Sequence, residues 1–158
     1  MWATVILGLL SVLVWSTAQA QPVRKISTCF EQYVAALRLS QLEEAILHCD
    51  QIVEDKAAAP DRRGQALAQR GLMYARRWSI LSAHPHALQG IADITEGLQL
   101  HTPTIARRHD LLIVRAQLYA AVGQLRRAAE DYRAILDRDP TNDAAQQGLR
   151  RLGEPHGS

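Results

Sequence analysis

Between His109 and Asn142 the chain spaces six residues whose types suit packing better than chemistry: Ala116, Tyr119, Gly123, Ala128, Tyr132 and Pro140. Ala116 and Ala128 are small, as two closely crossing helices require. Tyr119 and Tyr132 are large enough to fill the space between those helices and towards a neighbour. Gly123 ends the first helix, because glycine accepts the left-handed conformation of a C-cap. Pro140 forbids continuation of the second, having no N–H to donate. The segment "LYAAVGQLRRAAEDYRAILDRDP" therefore predicts two helices joined by a tight turn. Such a pair cannot bury its own apolar face, so the pattern also requires similar neighbours.

Helical periodicity extends over most of the chain, and no segment shows sustained strand alternation. Phe30, Val34 and Leu37 form one stripe of a helix over 27–39. Ser40 and Glu43 have capping-box spacing and open a second helix to Lys56, with Leu42, Ala45, Ile46, Cys49, Ile52 and Val53 periodic. A third begins at Pro60-Asp61 and runs to Arg77. The stretch "WSILSAHPH" (78–86) has no clean period and reads as an irregular connection. Further helices follow over 87–100, from the Thr102-Pro103 N-cap to Gly123, over 125–138 and over 143–152. The fold class is all-α, with short loops that predict antiparallel neighbours.

The register of the clear pair applies earlier in the chain. Gly71 and Tyr74 take the small and aromatic places of a first helix; Gly90, Gly97 and Ile94 take the two small places and the aromatic place of a second. From Tyr74 to Gly90 is 16 residues, against 9 from Tyr119 to Ala128, so about seven extra residues fall in that turn. A looser unit places Tyr33, Ala36, Ser40, Ala45, Cys49 and Ile52 at equivalent positions. In this register residues 27–152 resemble the tetratricopeptide repeat family, in particular exported bacterial members. The resemblance implies a short right-handed solenoid of about three antiparallel helical hairpins, closed by a capping helix over 143–152. Residues 21–26 then read as a flexible lead and 153–158 as a disordered tail.

Residues 1–20, "MWATVILGLLSVLVWSTAQA", contain no charged side chain and end in the small-residue pattern Ala18-Gln19-Ala20. They read as a secretory signal peptide cleaved after Ala20, so the chain is expected to be secreted or periplasmic. No Lys or Arg precedes the apolar run, and the alternative is an uncleaved anchor with the domain facing outward, as in a membrane-tethered envelope assembly factor. Two cysteines, Cys29 and Cys49, suggest one disulfide in an exported chain. In the hairpin that the resemblance implies, Cys29 lies 11 residues before the turn at Ser40 and Cys49 lies 9 after it, at similar height on facing helices. Exported repeat proteins of this kind also carry a cysteine at the Cys49 position.

Sequence patterns for catalysis are lacking. The net charge of +2 is spread as arginine pairs among acids, which does not make a nucleic-acid footprint. There is no glycine-rich phosphate loop, no serine in a nucleophile-elbow context and no C-x-x-C pair. His84, His86, His101 and His109 lack metal-ligand spacing, so no cofactor or metal is expected; a small metal-binding protein or enzyme built on the His84–His109 region is the alternative. The resemblance implies instead a non-catalytic scaffold that binds a protein or peptide in a concave groove lined by the first helix of each hairpin. By position this groove takes Phe30, Val34 and Arg38; then Ala68, Gln69, Leu72, Met73 and Arg76; then Ile113, Gln117, Ala120 and Ala121. The family's clamp for a peptide carboxylate needs Asn on these helices, and they have none. Arg115 either faces an acidic partner or pairs with a neighbouring acid. Exposed end helices leave self-association open.

Overall fold

The computed structural model describes residues 39–153, and all regular structure among them is helical. Helix α1 spans Leu39–Glu54, α2 Pro60–Leu81, α3 His84–Leu100, α4 Ile105–Ala121, α5 Leu125–Leu136 and α6 Asp143–Arg151. The signal-peptide segment, the lead, the 27–38 part of the first unit with Cys29, Phe30, Val34 and Arg38, and all of the tail after Gly153 lie outside the described residues.

The ends of these helices follow from local chemistry. Pro60 opens α2, where its missing N–H costs nothing. Gly123, at φ 77°, closes α4: its N–H bonds the Ala120 carbonyl and the Gln124 N–H bonds the Tyr119 carbonyl. These two bonds make a Schellman motif. Asn142 caps α6 by accepting from the Ala145 N–H at 3.1 Å. Two expected caps lie elsewhere. Thr104, not Thr102, is the N-cap of α4, accepting from the Arg107 N–H. Glu43 does not serve a capping box; its carboxylate accepts from Arg77 of α2 at 3.0 Å.

The largest departure from expectation is the 78–86 segment. It is not an extended turn. Helix α2 continues through Trp78 to Leu81, Ser82 closes it at φ 52°, and α3 starts at His84 with Pro85 in its first turn. The extra residues thus lengthen two helices, and the connection is only Ser82-Ala83. Pro85 initiates a helix here, as the first turn permits.

Consecutive helices pack on one another from α1 to α6, and α4 also touches α2 and α6. Two apolar clusters result. The smaller joins Leu42, Ala45, Ile46 and Cys49 of α1 to Ala66 and Met73 of α2. The larger runs from Ala68 through Ile94, Leu111, Ala116, Tyr119, Ala128, Tyr132 and Ile135 to Leu149. The residues expected to pack do so: Ala116 and Ala128 are fully buried, Tyr119 and Tyr132 nearly so, and the Tyr132 ring lies directly over Gly148 of α6.

Helices α2 and α3 approach closely at their glycines. A Cβ on Gly71 would lie 3.0 Å from the Gly90 carbonyl oxygen, and one on Gly97 would lie 2.7 Å from the Ala68 amide nitrogen. A Cβ on Gly64 would meet Leu100 at 2.7 Å. As the number rises along α2 (64, 68, 71), that of its partner in α3 falls (100, 97, 90).

Candidate functional site

Polar groups within the packed helices form one arrangement twice. Arg70 of α2 donates from Nε and Nη2 to the two oxygens of Asp93 in α3, at 2.7 and 2.8 Å, and from Nη1 to Asp50 of α1 at 2.7 Å. Arg115 of α4 donates from Nε and Nη2 to Asp131 of α5, at 2.8 and 2.6 Å, and from Nη1 to Thr95 of α3 at 3.0 Å. The two sets are in the same register. Each arginine precedes a small residue, Gly71 or Ala116, and each aspartate precedes the large residue of its helix, Ile94 or Tyr132. The third partner, Asp50 or Thr95, lies on the helix before. Asp93 and Asp131 are buried, and a paired guanidinium is what makes a buried carboxylate tolerable. The hydrogen bonds to Asp93 raise the Arg70 pKa above its ordinary value, so it stays charged. Gln89 adds a bond to Asp93 at 3.0 Å.

These clasps settle the open reading of Arg115: it pairs with a neighbouring acid and is committed to the interior. They hold α2 and α4 at fixed positions against the helices behind them.

On the side where α2 meets α4 lies a concave cavity of about 220 Å³. Helix α2 contributes Gln65, Ala68, Gln69 and Leu72, and α4 contributes Arg107 and Leu111. His101, Pro103 and Thr104 of the α3–α4 link complete the wall. Ala68, Leu72 and Leu111 make an apolar surface; Gln65, Gln69 and Arg107 supply polar groups. His101 is held by Asp61 through its Nδ1, and Thr104 is engaged in capping α4, so the wall is fixed by local bonds. The first turn of α4 also brings the positive end of a helix to this wall.

The structure divides the residues that the sequence offered for a groove. Ala68, Gln69 and Leu72 line the cavity. Arg76 and Gln117 are exposed but are not part of its wall, and Ile113, Ala120 and Ala121 are half-buried. Met73 must be withdrawn. It has no exposed surface, and its Sδ lies 3.9 Å from the Cys49 Sγ inside the smaller cluster. One step along a helix turns a side chain about 100°, enough to carry Met73 from the cavity side, where Leu72 lies, to the core.

Gln65, Arg107 and Leu111 were missed. The first lies one turn before Gln69 on the same stripe, and the others follow the one connection, 101–104, that begins with a residue outside α3 and caps α4. Cys49 is buried at the place expected of a large packing residue, while Cys29 lies outside the described residues.

The histidines go to separate places. His86 stacks on Tyr74 with ring centroids 6.2 Å apart, His101 meets Asp61, and His109 is buried in α4. Among the described residues no group of three or more His, Cys, Asp or Glu side chains is placed to share a metal ion.

No family model, no curated protein and no solved structure matches this chain.

Proposed function

We propose that the chain is an exported, non-catalytic scaffold of the tetratricopeptide type, a short right-handed stack of antiparallel hairpins that binds a protein segment in the cavity between α2 and α4. The observation that carries this reading is the cavity itself. It opens between the helices that occupy first place in two successive units, where such a stack presents its groove. Other features support it. The helices in first place touch one another (α2 with α4, α4 with α6), whereas α1, α3 and α5 have no mutual contact, which is the asymmetry of a curved stack. The opposed order of contacts between α2 and α3 is that of an antiparallel hairpin, and the arginine clasp recurs in register.

The cavity's lining defines the partner's chemistry. Its apolar surface suits one aliphatic or aromatic side chain, and Arg107 with the α4 N-terminus favours an acidic residue beside it. The partner is thus a peptide segment with an acid next to an apolar anchor. A photo-crosslinking residue placed at Gln65 is expected to capture one such segment in the native envelope fraction, and Leu72→Glu in the same chain is expected to abolish the capture. A probe at exposed Glu130 on α5 serves as comparison. Capture of the same proteins from both probes, unaffected by Leu72→Glu, would show that the cavity is not the binding site.

Export carries a second expectation, that Cys29 and Cys49 are joined. The intact mass of the chain taken from the native envelope should be lower by two hydrogens than after reduction, and only reduction should make either thiol alkylatable in denaturant. Equal masses before and after reduction would dispose of the bond. If Gln21 is the first residue of that chain, the signal peptide is cleaved; if residues 1–20 remain, the chain is membrane-tethered.

A further inference from the structure

The residues that lengthen α2 and α3 create a hairpin end of unusual composition. Ile80 and Leu81, in the last turn of α2, are 52% and 44% exposed, and Leu88 in α3 is 51% exposed. Single exposed apolar side chains are ordinary on a protein surface. Three within nine residues, on the two sides of a two-residue link, are a concentration that calls for a partner. Trp78, one turn from the end, is half-buried against the larger core.

Along the sequence the charge of this hairpin is one-sided. No Asp or Glu occurs between Asp61 and Asp93, a run of 31 residues that holds Arg62, Arg63, Arg70, Arg76 and Arg77. Near the end itself, Arg76 is exposed and makes no ion pair among the described residues, whereas Arg77 is joined to Glu43.

We propose that the α2–α3 hairpin end docks on the surface of an anionic lipid bilayer. Ile80, Leu81 and Leu88 would enter the boundary between head groups and acyl chains, and Arg76 would meet lipid phosphates. Trp78 stands where an indole suits a membrane–water boundary, with an apolar body and one polar N–H. This end does not itself span the bilayer: no helix of the described residues is long and apolar enough to cross a membrane. A second copy of the chain would also cover the apolar side chains. A two-fold contact, however, sets the same patch against itself and so brings the exposed Arg76 of each copy together, the nearby Glu43 being held already by Arg77. A lipid surface supplies both the apolar layer and the negative charge.

This inference is independent of the groove, since it uses none of the cavity residues, and each can fail alone. The test uses the exported chain from Gln21 on, in which Trp78 is the single tryptophan. Vesicles of phosphatidylcholine containing phosphatidylglycerol are compared with phosphatidylcholine alone, by co-sedimentation and by quenching of Trp78 with brominated lipid. The chain is expected to bind the anionic vesicles at least about tenfold more tightly, with Trp78 quenched. Ile80→Ser/Leu81→Ser/Leu88→Ser should weaken this about tenfold or more, with the helical circular dichroism unchanged. Arg76→Gln should weaken it about fivefold at low salt and less at high salt. Equal binding to both vesicle types, or wild-type binding by the triple variant, overturns the proposal. So does a dimer that the triple variant dissolves while vesicle binding is unchanged.

Discussion

Arg70→Ala is expected to lower the free energy of unfolding by about 3–5 kcal/mol, the usual cost of removing one partner from a buried ion pair. Two-state stability is itself only about 5–15 kcal/mol, so the variant will be largely unfolded at moderate urea. The cost arises at Asp93. Its side chain is 3% exposed and takes two hydrogen bonds from Arg70; without them only Gln89 remains to satisfy a carboxylate that water cannot reach. Asp50 contributes less, because at 29% exposure it can be rehydrated. The same reasoning makes the double variant Arg70→Met/Asp93→Leu milder than Arg70→Ala, by about 2 kcal/mol or more, since it leaves no buried charge behind. Arg126→Ala, at an exposed position on α5, should stay within about 0.5 kcal/mol of the parent. Urea unfolding followed by circular dichroism measures all three. A loss below about 1 kcal/mol for Arg70→Ala would mean that the clasp is a solvated surface pair and does not fix α2 between its neighbours.

The clasp also marks the limit of what the sequence makes legible. Arginine pairs such as Arg126-Arg127 read as a wet helix face, and those two are exposed. Arg70 and Arg115 stand singly within apolar periodic segments, and that isolation was the available signal. Their partners, 23 and 16 residues away, can be found only by superposing the α2–α3 and α4–α5 pairs, and the added length of α2 and α3 conceals the superposition. Packing positions were easier. Gly123, Ala116, Ala128 and the tyrosines each have one residue type that fits, so type and spacing together identify the α4–α5 pair. The 78–86 segment failed for a physical reason: helix signals and loop signals overlap there. Pro85 and two histidines suggest a break, yet proline is at home in a first turn, and the left-handed residue that ends α2 is a serine, where glycine would have announced it. For the candidate site, three cavity residues of α2 could be placed by counting along a helix. The opposite wall depended on how far the α3–α4 link extends, which no periodicity records.

Gly97→Ala should decide whether the glycines of α2 and α3 are there for close approach. By helix propensity alone the substitution would stabilise the protein by up to about 1 kcal/mol, because glycine is a poor interior helix residue. The geometry opposes this. The new methyl carbon would lie 2.7 Å from the Ala68 amide nitrogen and 2.8 Å from the Gly64 carbonyl oxygen. Both are backbone atoms, so no rotamer change relieves the clash and the two helices must part. Overpacking of this kind costs about 1–3 kcal/mol, and more where backbone has to shift, so the net effect is expected to be destabilising. At about 3–5 °C per kcal/mol for a domain of this size, the melting midpoint should fall by about 3–10 °C. Gly123→Ala is the useful comparison. There nothing lies within 4 Å of the added carbon, and only the left-handed backbone opposes it, at about 1–2 kcal/mol. If Gly97→Ala raises the midpoint, propensity has outweighed contact and the α2–α3 approach is looser than its geometry indicates. If it lowers the midpoint, the cavity changes too. Ala68 presents its backbone to Gly97 and also lines the cavity, so a methyl group inserted behind α2 displaces the cavity wall in front of it. Capture by the Gln65 probe should then weaken in the fraction of Gly97→Ala that remains folded, and exposed-face substitutions on α5 should leave it unchanged.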